Sequence, residues 1–383
     1  MKVAIVRGAT INKWEMQNYE PLAKNFSVEG IYAKPQFFKT EDIKLPLMNF
    51  FSLAKPINDS KIGHYFGEFF FGNIDYPFFL TKYLSKFDII NTIETFNPYT
   101  IQSLDSKKKN PKQKVIVTVW ENIPFNNEFF NKQRLNKKKT LKEADHFIAT
   151  SIRAKEALIL EGADPKKITV LYMGIDLNRF KPQSKDTEML NRLGFKKNDF
   201  IILCIGRLVW EKGIQDVLKS VASIIRKNSK VKLLIVGDGP MSKKITSLSK
   251  KMKIDKNIRL IKNFPYQDLP KVHNLADIFV LPSIPVKQWQ EQFGMVFIES
   301  MACAKPVIST LSGSIPEVIG DAGILVSPAD SYELSKKIDL LYKNKNLRIE
   351  LGTKARKRAL DLFDCQKAGE KISQIFQKVY NQN

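Results

Sequence analysis

The sequence predicts an α/β protein of two doubly wound, Rossmann-like domains facing one another across a cleft. Three observations predict it. The chain has 383 residues, which at roughly 100–200 residues per domain is enough for two cores. Short apolar, β-branched runs alternate with longer amphipathic segments, a pattern that implies parallel sheets with helical crossovers. A polar stretch, Asp176–Asn198, holds Pro182 and few apolar anchors, and separates the runs into two series. The division that follows is 1–180, 181–360, and a C-terminal helix over 361–383 that packs back on the N-terminal domain.

The first series of expected strands is Lys2–Val6, Phe87–Thr92, Lys114–Trp120, His146–Ala149 and Lys167–Leu171. The second is Phe200–Ile205, Lys232–Val236, Ile258–Ile261, Ile278–Leu281, Pro306–Ser309 and Gly323–Val326. Gly213–Lys227 and Ser331–Lys343 carry apolar residues at helical spacing, and Asn346–Asn383 reads as helical. Gly63–Phe79 is unlike the rest, with eight aromatics. It reads as packing between helices, or else as an exposed apolar patch for a lipid or a bulky acceptor.

Composition excludes several classes. With 43% hydrophobic residues, 26 Phe and four Trp, the chain is not disordered. Three cysteines with no CxxC or Cys/His cluster exclude a disulfide framework and a structural zinc site, so no metal is expected. His64, His146 and His273 are far apart in sequence. The opening MKVAIVRGAT is a strand and loop rather than a signal peptide. No run of 18 apolar residues spans a bilayer, so the expectation is a cytosolic protein with at most surface attachment to membrane.

The charge is unusual: 62 Lys+Arg against 39 Asp+Glu, net +23. It suggests a polyanionic partner. Residues 103–142 hold 11 basic and 3 acidic residues. They read either as solvated faces or as a basic patch toward an anionic membrane or a phosphate-bearing acceptor. No helix-turn-helix, zinc finger or RNP-like motif supports nucleic acid.

Chemistry is sought where strands end, because doubly wound sheets bind ligands there. In FIILCIGRLVWEKG, a strand leads to Gly206 and Arg207, then to Lys212 and Gly213 at a helix start. Gly206 permits close approach of backbone to ligand. Two cations at the mouth of a sheet suit a diphosphate, which they hold and neutralise as it leaves. In EQFGMVFIESMACAKPVI, Glu291 lies in a loop, Gly294 follows, and a helix starts near Met295. A helix N-terminus accepts phosphate. Glu299 would face the same cleft from within that helix. Eight fully helical steps would separate the two acids by about 12 Å, enough to hold different ends of one ligand. A carboxylate can accept from vicinal hydroxyls, as in a ribose or hexose. LLIVGDGP imitates a dinucleotide fingerprint, but Ser242 stands where the third glycine belongs. Arg7–Gly8 follows the first strand, where a single glycine is only a weak phosphate-loop signal.

Together GRLVWEKG, VGDGP, ADIFVLPS, EQFGMVFIESMACAKPVI, GSIPEVIGDAGILVSPAD and VLYMGIDLNRFKP resemble the retaining family 4 glycosyltransferases of GT-B fold. The likeness covers the second domain and its approach from about Ala144. It implies transfer of a hexosyl unit from a nucleotide-diphosphate sugar, UDP- or GDP-linked, to a glycan, lipid-linked or other envelope acceptor. By that resemblance Arg207 and Lys212 bind the donor diphosphate, Glu291 contacts the donor sugar near the reacting carbon, and Glu299 holds the ribose. The backbone of Phe293, Gly294 and Met295 would meet sugar and phosphate, and Asn263–Tyr266, with Phe264 and Tyr266, the nucleobase. The family is generally metal-independent, and the chain has no Asp-x-Asp. Front-face attack and a covalent intermediate on Glu291 both remain open. Many members carry a glycine-rich first loop, where this chain has only Gly8. Many place a histidine at the end of the strand that here reads VIVTVWENIPF. Trp120 would offer a stacking face there and Glu121 a hydroxyl contact; alternatively Trp120 packs and Glu121 caps a loop. Other GT-B sugar-nucleotide enzymes, or a non-catalytic basic binding protein, are the alternatives.

Overall fold

The computed structural model describes residues 1–52 and 76–382. The chain forms two compact units. The first comprises Met1–Gly174 and Cys365–Asn383, the second Ile175–Asp364.

The first unit holds a parallel sheet of β1 (Lys2–Val6), β2 (Ser27–Lys34), β3 (Leu47–Phe51), β4 (Ile89–Ile93), β5 (Lys114–Val119), β6 (His146–Ala149) and β7 (Ile168–Val170), in the order β3-β2-β1-β4-β5-β6-β7. The second holds β8 (Phe200–Ile205), β9 (Val231–Val236), β10 (Ile258–Ile261), β11 (Ile278–Val280), β12 (Val307–Thr310) and β13 (Gly323–Val326), in the order β10-β9-β8-β11-β12-β13. All residues of β4 and β8 are buried. β-branched runs covered on both faces form central parallel strands for this reason.

The helices follow the expected logic. Ile214–Lys227 buries Val217, Leu218, Val221 and Ile225 and ends on Arg226 and Lys227, cations suited to the negative end of the dipole. Ser331–Lys343 is capped by Asp330, whose side chain accepts from the N–H groups of Tyr332 and Glu333.

Three differences from the sequence reading have physical causes. β2 and β3 were not expected: β2 carries Glu29 and Gly30 and β3 is a short run at the sheet edge, so neither shows a continuous apolar signature. The stretch Asp176–Asn198 is not a bare connection. Phe180, Leu190, Leu193 and Phe195 are buried, and Thr187–Leu193 is a helix capped by Asp186. The C-terminal segment is two helices, Lys345–Leu362 and Cys365–Asn381. The second belongs to the first unit: Gly369 lies against Pro21, where a Cβ would come within 2.7 Å, and Asn25 donates to the Ser373 hydroxyl at 3.3 Å. The chain therefore passes between the units twice, and Ile175 and Asp364 at the two crossings form a parallel bridge. Of the aromatic cluster, only Tyr76, Phe78 and Phe79 are described: Phe78 stacks with Phe51, and Phe79 is exposed. Tyr65, Phe66, Phe69, Phe70 and Phe71 lie outside the described residues.

Candidate functional site

In the second sheet the strand order reverses between β8 and β11. The crevice outside the carboxyl ends of such a pair is the ligand-binding place of doubly wound sheets. The loop after β8 runs through Gly206 and Arg207 to a short 3-10 turn, Trp210–Lys212. Gly213 ends that turn at φ 69°, and a Cβ there would lie 2.0 Å from the Pro282 carbonyl oxygen. Only glycine lets this loop press on the segment after β11. Ile284 N–H donates to the Glu211 carbonyl at 2.7 Å across the same contact.

That contact delivers Lys212 to Glu291. Lys212 Nζ donates to Glu291 Oε2 at 2.7 Å, and the Ser283 hydroxyl donates to the same oxygen at 2.8 Å. The pair is largely buried, with side chains 12% and 8% exposed. Lys212 Nζ also lies 4.8 Å from the Trp289 ring centroid, a cation–π approach. The backbone of Glu291 is locked as well. Gly313, at φ 55°, sits where a Cβ would meet the Glu291 carbonyl oxygen at 2.0 Å, and Ser314 N–H donates to that oxygen at 2.9 Å. Arg207, in contrast, is exposed and has no side-chain partner among the described residues.

Gly294 caps the Met295–Ala302 helix with φ 85°, so the opening N–H groups at Met295 and Val296 form a positive end without intrahelical acceptors. Glu291 lies outside this helix, so the two acids are not eight helical steps apart. Glu299 is buried on its inner face, and its Oε2 lies 3.4 Å from His273 Nε2. His273 packs between Phe180 and Phe279, each ring centroid 5.9 Å away. The acids thus serve different neighbours. Phe293 buries its ring edge-on against Phe363. Tyr266 tilts against Phe180 under Arg179, and Phe264 is part-exposed just after β10. Asp238 of the VGDGP turn is occupied within its own loop. Ser242 and Lys262, with Gly239 N–H, push its carboxyl down to about 2.

The first sheet reverses between β1 and β4. Here the cation after the first strand, Arg7, is fully buried. Its Nε donates to Glu15 Oε1 at 2.6 Å, its Nη2 to Asn91 Oδ1 at 2.7 Å, and its Nη1 to the Val6 carbonyl at 2.8 Å. It lies over Tyr19, 4.7 Å from the centroid. Burial alone would lower its pKa; Glu15 and Tyr19 outweigh this and raise it. Gly8 is buried behind it at φ 55° and opens a 3-10 turn.

Directly after β4 stands Glu94, in the left-handed region at φ 60°. Its Oε1 accepts the N–H groups of Trp120 at 2.9 Å and Glu121 at 3.3 Å, tying the ends of β4 and β5. Its Oε2 is buried without a hydrogen-bond partner. Burial, then the charge of Glu121, push its carboxyl up to about 8 against the pull of those amides and of Lys137. Trp120 packs against the core of the first unit. Both oxygens of Glu121 are taken by the loop that follows: Oε1 by the N–H groups of Asn122 and Ile123, Oε2 by the amides of Asn126 and Asn127. The geometry therefore gives Glu121 the loop-capping role of the two readings.

The basic stretch 103–142 is less free than its count suggests. Lys107 pairs with Asp145, Lys108 and Lys139 with Asp105, and Lys137 with Glu161 and Glu128. Among the described residues no group of His, Cys, Asp and Glu could hold a metal ion, and no helix is long and apolar enough to cross a membrane.

Residues 185–358 match the family described as glycosyl transferases group 1, and residues 55–179 match glycosyltransferase family 4. The chain belongs to the family 4 glycosyltransferases. Among curated relatives it is 28% identical over 258 residues to the D-inositol 3-phosphate glycosyltransferase of Corynebacterium kroppenstedtii, spanning 64% of this chain and 56% of that protein. It is 30% identical over 255 residues to the capsular polysaccharide biosynthesis glycosyltransferase CapM of Staphylococcus aureus, spanning 61% of each. The match thus spans little more than half the length of these relatives. Among solved structures it superposes on Anabaena HepE in complex with UDP with TM-score 0.80 at 18% identity, covering 99% of this chain and 100% of that one. A glycosyltransferase from Rickettsia africae gives 0.76 at 20% identity, covering 100% and 99%. These likenesses show the fold, which is GT-B.

Sequence reasoning named Arg207, Lys212, Glu291 and Glu299. It missed Ser283 and Trp289 around the ion pair, His273 beside Glu299, and Glu94 at the other switch point, and it noted Arg7 there only as the residue before Gly8. The one available signal was position: Arg7 and Glu94 each directly follow a strand.

Proposed function

We propose that this chain is a retaining hexosyltransferase that uses a nucleotide-diphosphate sugar, UDP- or GDP-linked, and a glycan, lipid-linked or other envelope acceptor. The observation that carries the reading is the Lys212–Glu291 pair at the β8/β11 switch point, with the unpaired Arg207 on the same loop. Breaking a glycosyl–phosphate bond leaves negative charge on the departing diphosphate and positive charge on the sugar carbon. Lys212 and Arg207 would stabilise the first, aided by the amides at Gly294 and Met295. Glu291, held by Ser283 and by its locked backbone, would face the second. The donor's phosphate would draw Lys212 partly from Glu291, so donor binding itself would free the carboxylate for the sugar. Retention would follow from front-face attack, with the leaving phosphate oxygen taking the acceptor's proton. Glu299 would hold the ribose, the Asn263–Tyr266 segment the base, and no metal would be needed.

HepE, crystallised with UDP and with UDP-glucose, supports a nucleotide-sugar donor by fold analogy. The relatives named for capsular polysaccharide and inositol phosphate support an acceptor bearing hydroxyls or phosphate. The test is a thermal-shift panel with UDP, GDP, ADP and their sugars. A nucleotide and its sugar should raise the melting temperature by mass action. No response to any of them removes the donor site.

A further inference from the structure

Inside the second unit, Glu299 is met by a histidine that packing holds in place. His273, on the helix Leu269–Leu275, is fully buried, and its Nε2 lies 3.4 Å from Glu299 Oε2. The Phe180 ring meets the imidazole edge-on at 71°, and the Phe279 ring lies tilted to it at 38°. Phe297, on the same helix as Glu299, stands edge-on to Phe279. The next residue, Asn274, pins the histidine's helix: it donates to the Lys181 carbonyl and accepts Gln183 N–H, both at 2.9 Å. A ring packed so closely has little freedom to turn away from the acid.

The proton on that ring can be assigned. Nδ1 is buried without a hydrogen-bond partner among the described residues. A buried N–H lacking an acceptor is the rarer defect, so the proton is placed on Nε2, facing Oε2. The bond is long for an N–H donor, which suits aiming the carboxylate more than neutralising it. Glu299 Oε1 makes no hydrogen bond among the described residues. Phe180 also packs against Tyr266, and Arg179 donates to the Tyr266 carbonyl at 3.2 Å. The parts proposed for base and ribose thus share Phe180 as a support.

We propose that His273 is a positioning residue for nucleotide recognition: its Nε2–H turns Glu299 so that Oε1 meets the hydroxyls of a ribose, and the site therefore favours a ribonucleotide over one that lacks them. It rests on Glu299 holding the ribose, as proposed above. Calorimetric titration of the full chain with UDP, GDP and their 2′,3′-dideoxy forms tests it. The wild type should favour the ribose form at least about tenfold, the scale of hydrogen bonds to a charged group. His273→Phe keeps a ring without the donor, and His273→Asn keeps polarity with an amide too short to reach Oε2. In both, the preference should shrink several-fold while affinity for the dideoxy form stays unchanged. His273→Gln, which returns an N–H near the place of Nε2, should restore most of it. Glu299→Ala should abolish the preference, and adding His273→Phe should change nothing further. Equal losses for both forms of the nucleotide, or an undiminished preference in the Phe and Asn variants, overturn the proposal, because His273 then only packs. A wild type that binds UDP or GDP without favouring the ribose form overturns it too and leaves the donor site standing. A wild type that binds neither fails at the donor site itself, and the role of His273 falls with it.

Discussion

The two sheets reverse strand order in the same way, and in each a cation and a carboxylate follow the strands at the reversal. In the second unit Arg207 is exposed and unpaired and Lys212 shares a nearly buried carboxylate. In the first unit Arg7 is fully buried and its hydrogen bonds go to Glu15, Asn91 and the backbone. Equal topology has thus been given opposite electrostatic uses. One switch point keeps positive charge available to a ligand, while the other has spent it on holding β1, β4 and the first helical turn together. The polar group left over in the first unit is an acid, Glu94.

This contrast can be broken in order of size. Lys212→Ala or Glu291→Ala should lower transfer by about a hundred- to a thousandfold, the scale of removing charge stabilisation in a transition state, with the fold intact by circular dichroism. Unchanged turnover in either variant would remove that residue from the proposed role. Arg7→Ala should cost about 3–5 kcal/mol in denaturant unfolding, because it strands Glu15 as a buried unpaired charge. Arg207→Ala should stay within about 0.5 kcal/mol, as expected of an exposed site, yet weaken binding of UDP or GDP. Similar stability losses in the two arginine variants would erase the distinction between the units.

Glu94 sharpens the contrast through pH. Its carboxyl lies near 8 in the folded chain against an ordinary value of 4.5. A group raised in this way stabilises the fold fully below about pH 4.5, and that contribution fades as pH rises through about 8. Glu94→Gln should flatten the melting temperature over this interval and raise it above pH 8, while still accepting the N–H groups of Trp120 and Glu121. A steep pH dependence that survives in the glutamine variant would place its source elsewhere. The smallest effect is expected from Ser283→Ala, which removes one hydrogen bond to Glu291. Stability should fall by about 1 kcal/mol and transfer by a few-fold, measured at saturating donor.

The sequence showed the donor-side constellation because its parts lie in continuous motifs directly after strong strands. GRLVWEKG carries Arg207 and Lys212, and EQFGMVFIES carries both acids. It did not show that Lys212 and Glu291 are partners. That pairing depends on Gly213 pressing against Pro282 and on Gly313 pressing against Glu291, contacts between segments far apart in the chain. Arg7 looked like any of 62 cations because its burial is set by Glu15, Tyr19 and Asn91 jointly. Strands β2 and β3 escaped notice for a related reason: β2 is interrupted by Glu29 and Gly30, and β3, at the sheet edge, lacks the apolar run that two-sided burial imposes on central strands. The polar composition of Asp176–Asn198 hid five buried anchors, Leu177, Phe180, Leu190, Leu193 and Phe195, spaced too irregularly to show a period.

The placement of the Cys365–Asn381 helix in the first unit has a consequence for synthesis. The ribosome completes the whole second unit before it makes the helix that covers Pro21 and supplies Ser373 to Asn25. The N-terminal sheet must therefore wait, with that face open, while some 190 residues of a separate domain emerge and fold as a unit ahead of it. A chain stalled or cut before Cys365 would leave a finished second domain joined to an unfinished first one. The Cys365–Asn381 helix thus closes the first unit only after the second has been made.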